Sequence, residues 1–354
     1  MSRYLDERFS ALLPYVPGEQ PRDRKYLKLN TNESPYPPSP RALRAAAEAA
    51  RTLQLYSDPQ CTLLREKLAA LYGLRPENVI CSNGSDEILD FAFAAFCGPS
   101  RPAVFPDITY GFYRVFAKKY GVPFREIPLR DDLSVDPADY ETNGATVFLA
   151  NPNAPTGLAL GREAIERILQ ANPDRVVVID EAYADFSGGS AAPLIAGYEN
   201  LLVTGTFSKS RSMAGARLGF GLASPALIGD LERIRYSTNP YNVNAMTMAA
   251  GIGALEDEDY TRANCRAIAE NRDFLQSELK KLGFTVTDSK ANFVFAAHPD
   301  FDGARIFAAL RERGILVRRW DDPRIRGYNR ITVGTRMQMN VLLAAVREIL
   351  EEMK

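Results

Sequence analysis

The chain has 354 residues, of which 46% are hydrophobic and 25% are charged. This composition is ordinary for a globular protein with room for two domains, and it excludes a disordered or fibrous chain. The 43 basic and 44 acidic side chains nearly cancel, so no overall field favours nucleic acid or an anionic membrane. We therefore expect a small-molecule substrate.

The first 38 residues are rich in Pro, Tyr, Arg and Asn and show little regular period, which predicts an extended arm. The first nine carry charges where a signal peptide needs an apolar core, and the sequence has no run of about 18 apolar residues. We expect a cytoplasmic protein without a membrane segment.

A helix is predicted to begin at Pro40, after Ser39 as its N-cap, and to follow an alanine-rich run to Arg51. Beyond it, apolar strand candidates alternate with helix candidates. The strand candidates are 78–82, 103–105, 145–150, 176–180, 201–206 and 218–222, and the helix candidates are 86–96, 110–120, 162–170 and 225–235. This alternation predicts an α/β fold with a doubly wound, mostly parallel sheet.

The pattern changes after about residue 255. A long amphipathic helix is predicted near 260–282, followed by short strands and two helices, the last of which places Leu342, Val346, Ile349 and Leu350 on one face. We predict an arm at 1–38 that packs on the small domain, a large domain at 39–255 and a small α+β domain at 256–354.

Cysteine and histidine offer little to catalysis or metal binding. The four cysteines are scattered without a CxxC pair or a nearby histidine, at Cys61, Cys81, Cys97 and Cys265. The only histidine, His298, lies in a loop-like segment, and no GxSxG nucleophile elbow accompanies it. We expect neither a metal site nor a Ser/His/Asp hydrolase.

The segment 206–220 brings a lysine, small hydroxyls, arginines and glycines together behind an apolar strand, and the upstream apolar run 176–179 predicts a buried strand that ends on Asp180. A carbonyl cofactor with a phosphate tail and a ring nitrogen needs an amine, cationic and hydroxyl groups for the phosphate, and a carboxylate opposite the nitrogen. Lys209, Ser208 with Arg217, and Asp180 supply these three. The pattern therefore predicts a pyridoxal phosphate site in the large domain.

Three further motifs fall where such a site needs them. The turn 83–87 lies between a strand and a helix, so its amide groups can receive a phosphate, or it can simply cap the helix. The loop 151–157 carries two prolines and aims an asparagine at the strand tips, or is a plain turn. Tyr110 offers a flat face to a pyridine ring, or packs in the core.

Together these motifs resemble fold type I pyridoxal-phosphate aminotransferases, and most closely the histidinol-phosphate aminotransferase family. The resemblance runs from Leu-Pro-Tyr at 13–15 and Leu-Asn-Thr-Asn-Glu at 29–33 to Asn-Arg-Ile-Thr-Val-Gly-Thr at 329–335. It implies transfer of an amino group from L-histidinol phosphate to 2-oxoglutarate, giving imidazole-acetol phosphate and L-glutamate, a step of histidine biosynthesis. Aromatic or broad-range aminotransferases and threonine-phosphate decarboxylases resemble the same pattern and stay open as alternatives.

The resemblance also assigns cofactor roles. Lys209 is expected to hold the aldehyde covalently and to carry a proton at the substrate Cα, while Asp180 keeps the ring nitrogen protonated. Tyr183 is expected to bond the ring oxygen O3′, and Tyr110 to stack on the ring. The residues expected to hold the phosphate are Ser85 and Asp86 through their amides, Thr206, Ser208, Arg217, and Tyr56 from a neighbouring subunit. That last role implies a homodimer.

For the substrates, the resemblance implies that Arg330 binds a carboxylate in a bidentate manner. Tyr15 and Arg318 resemble the positions that engage the substrate phosphate, with Arg319 and Arg326 as alternatives to Arg318. The chain departs from the family at Ala154, where an asparagine usually bonds O3′. Asn153, or otherwise Asn151, is expected to substitute.

A third possible class of function is a nucleotide-binding or regulatory protein. In such a protein the glycines of 215–221 would bind a dinucleotide or simply allow close packing. No GxGxxG follows an early strand and no GxxxxGK[ST] is present, which argues against this class.

Overall fold

The computed structural model describes residues 2–10, 12–141 and 144–354, and all structural statements concern these residues. Their strands are β1 (Leu27–Lys28), β2 (Val79–Ser82), β3 (Ala103–Pro106), β4 (Phe124–Ile127), β5 (Thr146–Ala150), β6 (Val177–Asp180), β7 (Leu201–Thr206), β8 (Gly219–Ala223), β9 (Thr285–Val286), β10 (Phe293–Ala297), β11 (Ile315–Leu316) and β12 (Tyr328–Thr332). Their α-helices are α1 (Pro40–Ala49), α2 (Thr62–Tyr72), α3 (Ser85–Phe96), α4 (Phe112–Lys119), α5 (Arg162–Ala171), α6 (Pro225–Thr238), α7 (Ala245–Leu255), α8 (Glu258–Lys281), α9 (Gly303–Glu312) and α10 (Arg336–Glu352).

The large sheet has seven strands in the order β2-β8-β7-β6-β5-β3-β4. The neighbours from β7 to β4 pair in parallel, and β8 runs antiparallel to both β2 and β7. Every residue of β6 and β7 is buried, as expected for strands covered on both faces. The prediction of an α/β fold with a mostly parallel central sheet is confirmed.

The two faces of this sheet pack on separate cores because side chains alternate along a strand. Val177 and Ile179 of β6 belong to the cluster that contains residues of α2 and α5, whereas Val178 belongs to the cluster that contains residues of α3, α4 and α6. Asp180 follows in the same alternation. Its carboxyl group therefore lies on the face of α3 and α4, at the carboxyl end of the strand.

The C-terminal part of the chain forms a three-stranded antiparallel sheet in the order β12-β10-β9. Its core holds Ile268, Leu275 and Leu279 of α8, together with the four residues of α10 predicted to share one face, Leu342, Val346, Ile349 and Leu350. The arm reaches this part of the chain through β1, which pairs in parallel with β11. The ion pair between Glu19 and Arg311 adds a second contact, with the nitrogen and oxygen atoms 3.1 Å apart.

Some elements differ from those predicted. The first helix ends at Ala49 and continues as a short 3-10 turn, and α4 begins at Phe112 instead of Tyr110. Strand β4 and helices α2 and α7 are additional elements that the alternation of strand and helix candidates did not reveal. Within the described ranges, each helix is too short or too polar to cross a membrane.

Candidate active site

The carboxyl ends of β5, β6 and β7 meet the first turn of α3 at a cavity of about 90 Å³. The residues that line it include nine expected at the cofactor site: Ser85, Asp86, Tyr110, Asp180, Tyr183, Thr206, Ser208, Lys209 and Arg217. An adjoining cavity of about 520 Å³ shares several of these residues and adds the three expected to bind substrate: Tyr15, Arg318 and Arg330. The fold thus brings residues that are far apart in the sequence to one place.

Asp180 is a buried carboxylate whose hydrogen-bond donors are neutral. Its oxygens accept from the Tyr113 hydroxyl at 3.1 Å, from the Thr204 hydroxyl at 3.1 Å and from the Ala182 amide at 3.3 Å. Burial raises the pKa of Asp180 to about 6, against the opposing effect of the bonds from Thr204 and Tyr113. A cationic ring nitrogen placed against this carboxylate would stabilise its charged form.

Lys209 is partly exposed to the cavity, and its Nζ donates one hydrogen bond, to the Thr31 carbonyl at 3.3 Å. Burial among protein atoms lowers the pKa of Lys209 to about 8, and the nearby Arg330 guanidinium acts in the same direction. Because an ordinary lysine has a pKa of about 10.4, this amine is neutral far more often at neutral pH. A neutral amine is what attack on an aldehyde requires.

The other end of the cavity suits an anion. Helix α3 has Gly84 at its N-cap and no side-chain cap. The backbone amides of Ser85 and Asp86 are therefore free to bind an anion at the positive end of the helix dipole, beside the cavity. Gly219 of β8 allows the strand to pass close to this helix N-terminus, since a Cβ at Gly219 would lie 2.3 Å from the Ser85 nitrogen. Arg217 reaches over the same turn, with its Nη2 3.3 Å from Asp86 Oδ2.

Two hydroxyls complete this end of the cavity. Thr206 Oγ1 donates to Ser208 Oγ at 2.9 Å and accepts from the Ser208 amide at 3.1 Å. Amides, hydroxyls and a guanidinium together form a cradle for a phosphate. The same cavity is lined by the buried Asp180 carboxylate, which suits a cationic ring nitrogen, and by the Lys209 amine, which suits an aldehyde. The residues present therefore fit pyridoxal phosphate.

Arg318 and Arg330 lie side by side in the adjoining cavity. Their backbones form an antiparallel bridge, with the Arg318 amide 3.0 Å from the Arg330 carbonyl oxygen and the Arg330 amide 2.8 Å from that of Arg318. This pairing places both side chains on one face. Trp320 lies beside both, with its ring centre 5.6 Å from the Arg318 guanidinium and 5.2 Å from that of Arg330.

The two guanidiniums differ in what they already bind. Arg318 donates to the carbonyls of Val16 and Pro17, which ties it to the arm beside Tyr15. Arg330 donates to the Asn30 carbonyl at 2.9 Å, and its Nε is buried without a hydrogen-bond partner among the described residues. An unpaired buried donor on a cation indicates a binding site for an anion.

The chain matches the family model for "Aminotransferase class I and II" over residues 24–346. It belongs to this family. Over 99% of this chain and 100% of the relative, it is 49% identical to histidinol-phosphate aminotransferase 1 of Bradyrhizobium diazoefficiens. Over 99% of both chains, it is 48% identical to histidinol-phosphate aminotransferase of Acetobacter pasteurianus.

Solved structures show the same fold. Histidinol-phosphate aminotransferase from Sinorhizobium meliloti, solved in complex with pyridoxal-5'-phosphate, superposes with a TM-score of 0.89 at 27% identity over 100% of both chains. L-threonine-O-3-phosphate decarboxylase from Porphyromonas gingivalis superposes with a TM-score of 0.81 at 22% identity over 92% of this chain and 99% of that one, a likeness of fold alone. The aminotransferase described here therefore has the fold type I architecture that its sequence predicted.

The structure does not bring Asn153 to the aminotransferase cavity. Its amide nitrogen donates to the Ile108 carbonyl and the Thr156 hydroxyl, and its oxygen accepts from the Thr109 hydroxyl. These bonds hold two loops together and leave Ala154 to line the cavity instead. Asn151 bonds the Leu160 backbone through both ends of its amide.

Tyr56 also lies away from the cavity of its own chain. Its side chain is 84% exposed and stacks on Tyr241, with ring centroids 4.5 Å apart. A contact with a phosphate would therefore have to be made in another copy of the chain.

Four residues contact the site but were not predicted from the sequence: Asn32, Tyr113, Thr204 and Trp320. Thr204 could have been found, because β6 and β7 are adjacent strand candidates and the register pairs Asp180 with Thr204. Tyr113 lies three residues after Tyr110, which is a weak signal by itself. Asn32 has no local signal, since its partners Tyr183 and Thr332 lie in distant segments. Trp320 is close in sequence to Arg318, but its contact with Arg330 depends on the fold.

Proposed function

We propose that this aminotransferase uses pyridoxal phosphate to convert L-histidinol phosphate and 2-oxoglutarate into imidazole-acetol phosphate and L-glutamate. The observation that carries the proposal is a cavity with Lys209 and Asp180 on its walls and an uncapped helix N-terminus at its end, continuous with a space that holds two arginines. The curated histidinol-phosphate aminotransferases that are 48–49% identical over nearly the whole chain support this choice of substrate.

When bound, pyridoxal phosphate supplies an aldehyde that condenses with amines and a ring that accepts electrons released at the substrate Cα. Lys209 would hold the aldehyde, and its amine is the group placed to move the proton at the substrate Cα. The pKa of about 8 suits both tasks, because the amine can be neutral as a base and charged as an acid near neutral pH.

Other residues hold the ring and the phosphate. Asp180 would keep a proton on the ring nitrogen by electrostatic attraction, because its carboxylate is buried. Tyr110 is fixed beside the cavity by its hydroxyl, which donates to Asp86 Oδ1 at 2.6 Å. The phosphate is held by the amides of Ser85 and Asp86 and by the side chains of Thr206, Ser208 and Arg217.

The two half-reactions need two kinds of anion site, because glutamate carries an α-carboxylate and histidinol phosphate carries a phosphate instead. Arg330, with its unpaired Nε, binds the carboxylate, and Arg318 with Tyr15 binds the phosphate. Arg318 is favoured over Arg319 and Arg326 because it lines the cavity. The Arg319 side chain instead pairs with Asp321 and with the Arg326 carbonyl.

The reaction is tested with a panel of amino donors. We expect the purified holoenzyme to show the visible absorbance of the bound cofactor, and to form glutamate from 2-oxoglutarate with a kcat/KM for histidinol phosphate at least about tenfold above those for phenylalanine and threonine phosphate. Lys209→Ala should abolish the visible band and the activity, whereas Lys118→Ala, at an exposed lysine, should change neither.

Two results of the panel would contradict the proposed substrate. A preference for phenylalanine would identify an aromatic aminotransferase. Release of carbon dioxide from threonine phosphate would identify a decarboxylase of the same fold.

The division of labour between the two arginines gives a second expected outcome. Arg330→Ala should lower kcat/KM in both half-reactions, because Arg330 binds the carboxylate and its charge also lowers the pKa of Lys209. Arg318→Ala and Tyr15→Phe should lower mainly the kcat/KM for histidinol phosphate. Loss of a bond from a charged group is worth about 1.5–3 kcal/mol, so each arginine variant should lose roughly 10–100-fold. Trp320, the only tryptophan, gives a fluorescence readout of ligand binding beside both guanidiniums.

Arg326→Ala serves as the matched control, because this arginine is exposed and does not line the cavity. Equal losses with glutamate and with histidinol phosphate in the Arg318 and Tyr15 variants would refute the division.

We also propose that the enzyme acts as a homodimer in the cytoplasm. Several large apolar side chains between residues 43 and 63 are 49–84% exposed, namely Leu43, Leu53, Leu55, Tyr56 and Leu63. Exposed apolar side chains concentrated in one segment are typical of a surface that another chain covers. A second copy of the chain bound here would bring its Tyr56 towards the phosphate end of the neighbouring cofactor site. All four cysteines are free thiols, as expected in a reducing compartment.

Hybrid dimers test the contribution of Tyr56 across the interface. One subunit carries Lys209→Ala and the other Tyr56→Ala, and hybrids are purified with two different tags. If Tyr56 serves the neighbouring site, one site of each hybrid is fully wild type, and about half the wild-type activity per dimer should return. Activity no higher than that of the Tyr56→Ala homodimer, or a monomeric protein, would contradict the proposal.

A further inference from the structure

Asn32 of the arm is buried, with 1% of its surface exposed, and all of its polar groups are hydrogen-bonded. Its Nδ2 donates to the Tyr183 hydroxyl at 2.9 Å, and its Oδ1 accepts from the Thr332 hydroxyl at 3.0 Å. Its backbone amide donates to Thr332 Oγ1 at 2.9 Å, and its carbonyl accepts from Asn292 at 3.0 Å. Its φ of 55° lies in the left-handed region, which asparagine tolerates better than most residues.

The hydrogen bonds to Thr332 fix the orientation of the Asn32 side chain. Thr332 Oγ1 already accepts from the Asn32 backbone amide, so its own hydrogen is available to donate to the side chain. With the amide oxygen accepting this hydrogen from Thr332, the NH2 group faces Tyr183 and donates to its hydroxyl.

This orientation determines the role of the Tyr183 hydroxyl. Since Tyr183 Oη accepts a hydrogen bond from Asn32, its own hydrogen is left to donate elsewhere, and Tyr183 lines the cofactor cavity. Burial raises the pKa of Tyr183, against the opposing effects of Arg330 and of the bond from Asn32. The hydroxyl therefore keeps its proton at neutral pH and can act as a donor.

The other walls make this donor more important. Ala154 lines the cavity but has no polar side-chain atom, and the Asn153 amide is used between loops. Thr332 belongs to β12, two residues from Arg330. Asn32 thus joins the strand that carries the substrate arginine to the Tyr183 hydroxyl.

We propose that Asn32 is a positioning residue that directs the Tyr183 hydroxyl hydrogen at the ring oxygen of the cofactor and ties that hydroxyl to β12. The inference rests on the proposed cofactor, but it does not depend on which amino donor the enzyme uses. A donor to the ring oxygen stabilises its anionic form and lowers the pKa of the adjacent lysine–cofactor linkage.

The test is the pH titration of the visible absorbance of the holoenzyme. Asn32→Gly is the main variant, because glycine adopts the left-handed conformation without strain. We expect its titration midpoint to rise by about 0.5–1 pH unit, the size of one hydrogen bond. In a Tyr183→Phe background, which already lacks the donor, Asn32→Gly should give no further shift.

Thr332→Val provides a second route to the same test, because it removes the group that orients the Asn32 amide and leaves Asn32 itself in place. It should raise the midpoint in the same direction and should likewise have no effect on Tyr183→Phe. If Asn32→Gly does not fold, as judged by thermal unfolding, Thr332→Val alone decides the inference.

Unchanged midpoints, or shifts of equal size with and without the Tyr183 hydroxyl, would overturn the inference, since a general loosening of the site would act in both backgrounds. Failure of the proposed function is distinguishable. A wild-type protein without the visible band would refute the cofactor, and a band without turnover of histidinol phosphate would refute only the substrate.

Discussion

The structure depends on the removal of water from two side chains that would both be charged in solution. Asp180 and Lys209 line one cavity. Burial raises the pKa of Asp180 to about 6 and lowers the pKa of Lys209 to about 8, so it favours the neutral form of each group. Both groups still carry charge at neutral pH, and burying a charge without an opposite charge beside it costs stability. A molecule that offers a cationic nitrogen to one and an aldehyde to the other resolves both costs, and pyridoxal phosphate is such a molecule.

The sheet topology explains why these two groups share a cavity. β6 and β7 are adjacent and parallel, so their carboxyl ends open on the same edge of the sheet, where the first turn of α3 offers its amides. Asn32 of the arm bonds the Tyr183 hydroxyl, and Arg330 of β12 lines the adjoining cavity together with Lys209. The charge on Arg330 therefore has two effects, since it prepares an anion site and also lowers the pKa of Lys209.

The sequence predicted the parts of the site that local pattern encodes. A run of β-branched residues that ends on an acid located Asp180, and a strand followed by Ser-Lys located Lys209. The bonds of Asn153 could not be predicted, because its partners, Ile108 and Thr109, lie more than forty residues away in the chain. Helix α7 was not predicted either, because its packing also involves a segment far away in the chain. Its Gly253 weakens a helical pattern but allows close packing on α1, where a Cβ would lie 2.8 Å from the Arg41 carbonyl oxygen.

The pH dependence of the reaction of Lys209 with pyridoxal phosphate shows whether this amine is held in a water-poor site. The rate at which the apoenzyme acquires visible absorbance should rise with pH, because only the neutral amine reacts, and its midpoint should lie near the Lys209 pKa of about 8. A midpoint near about 10.4, the value of a lysine in water, would show that the amine is not held in a water-poor site and would contradict the account.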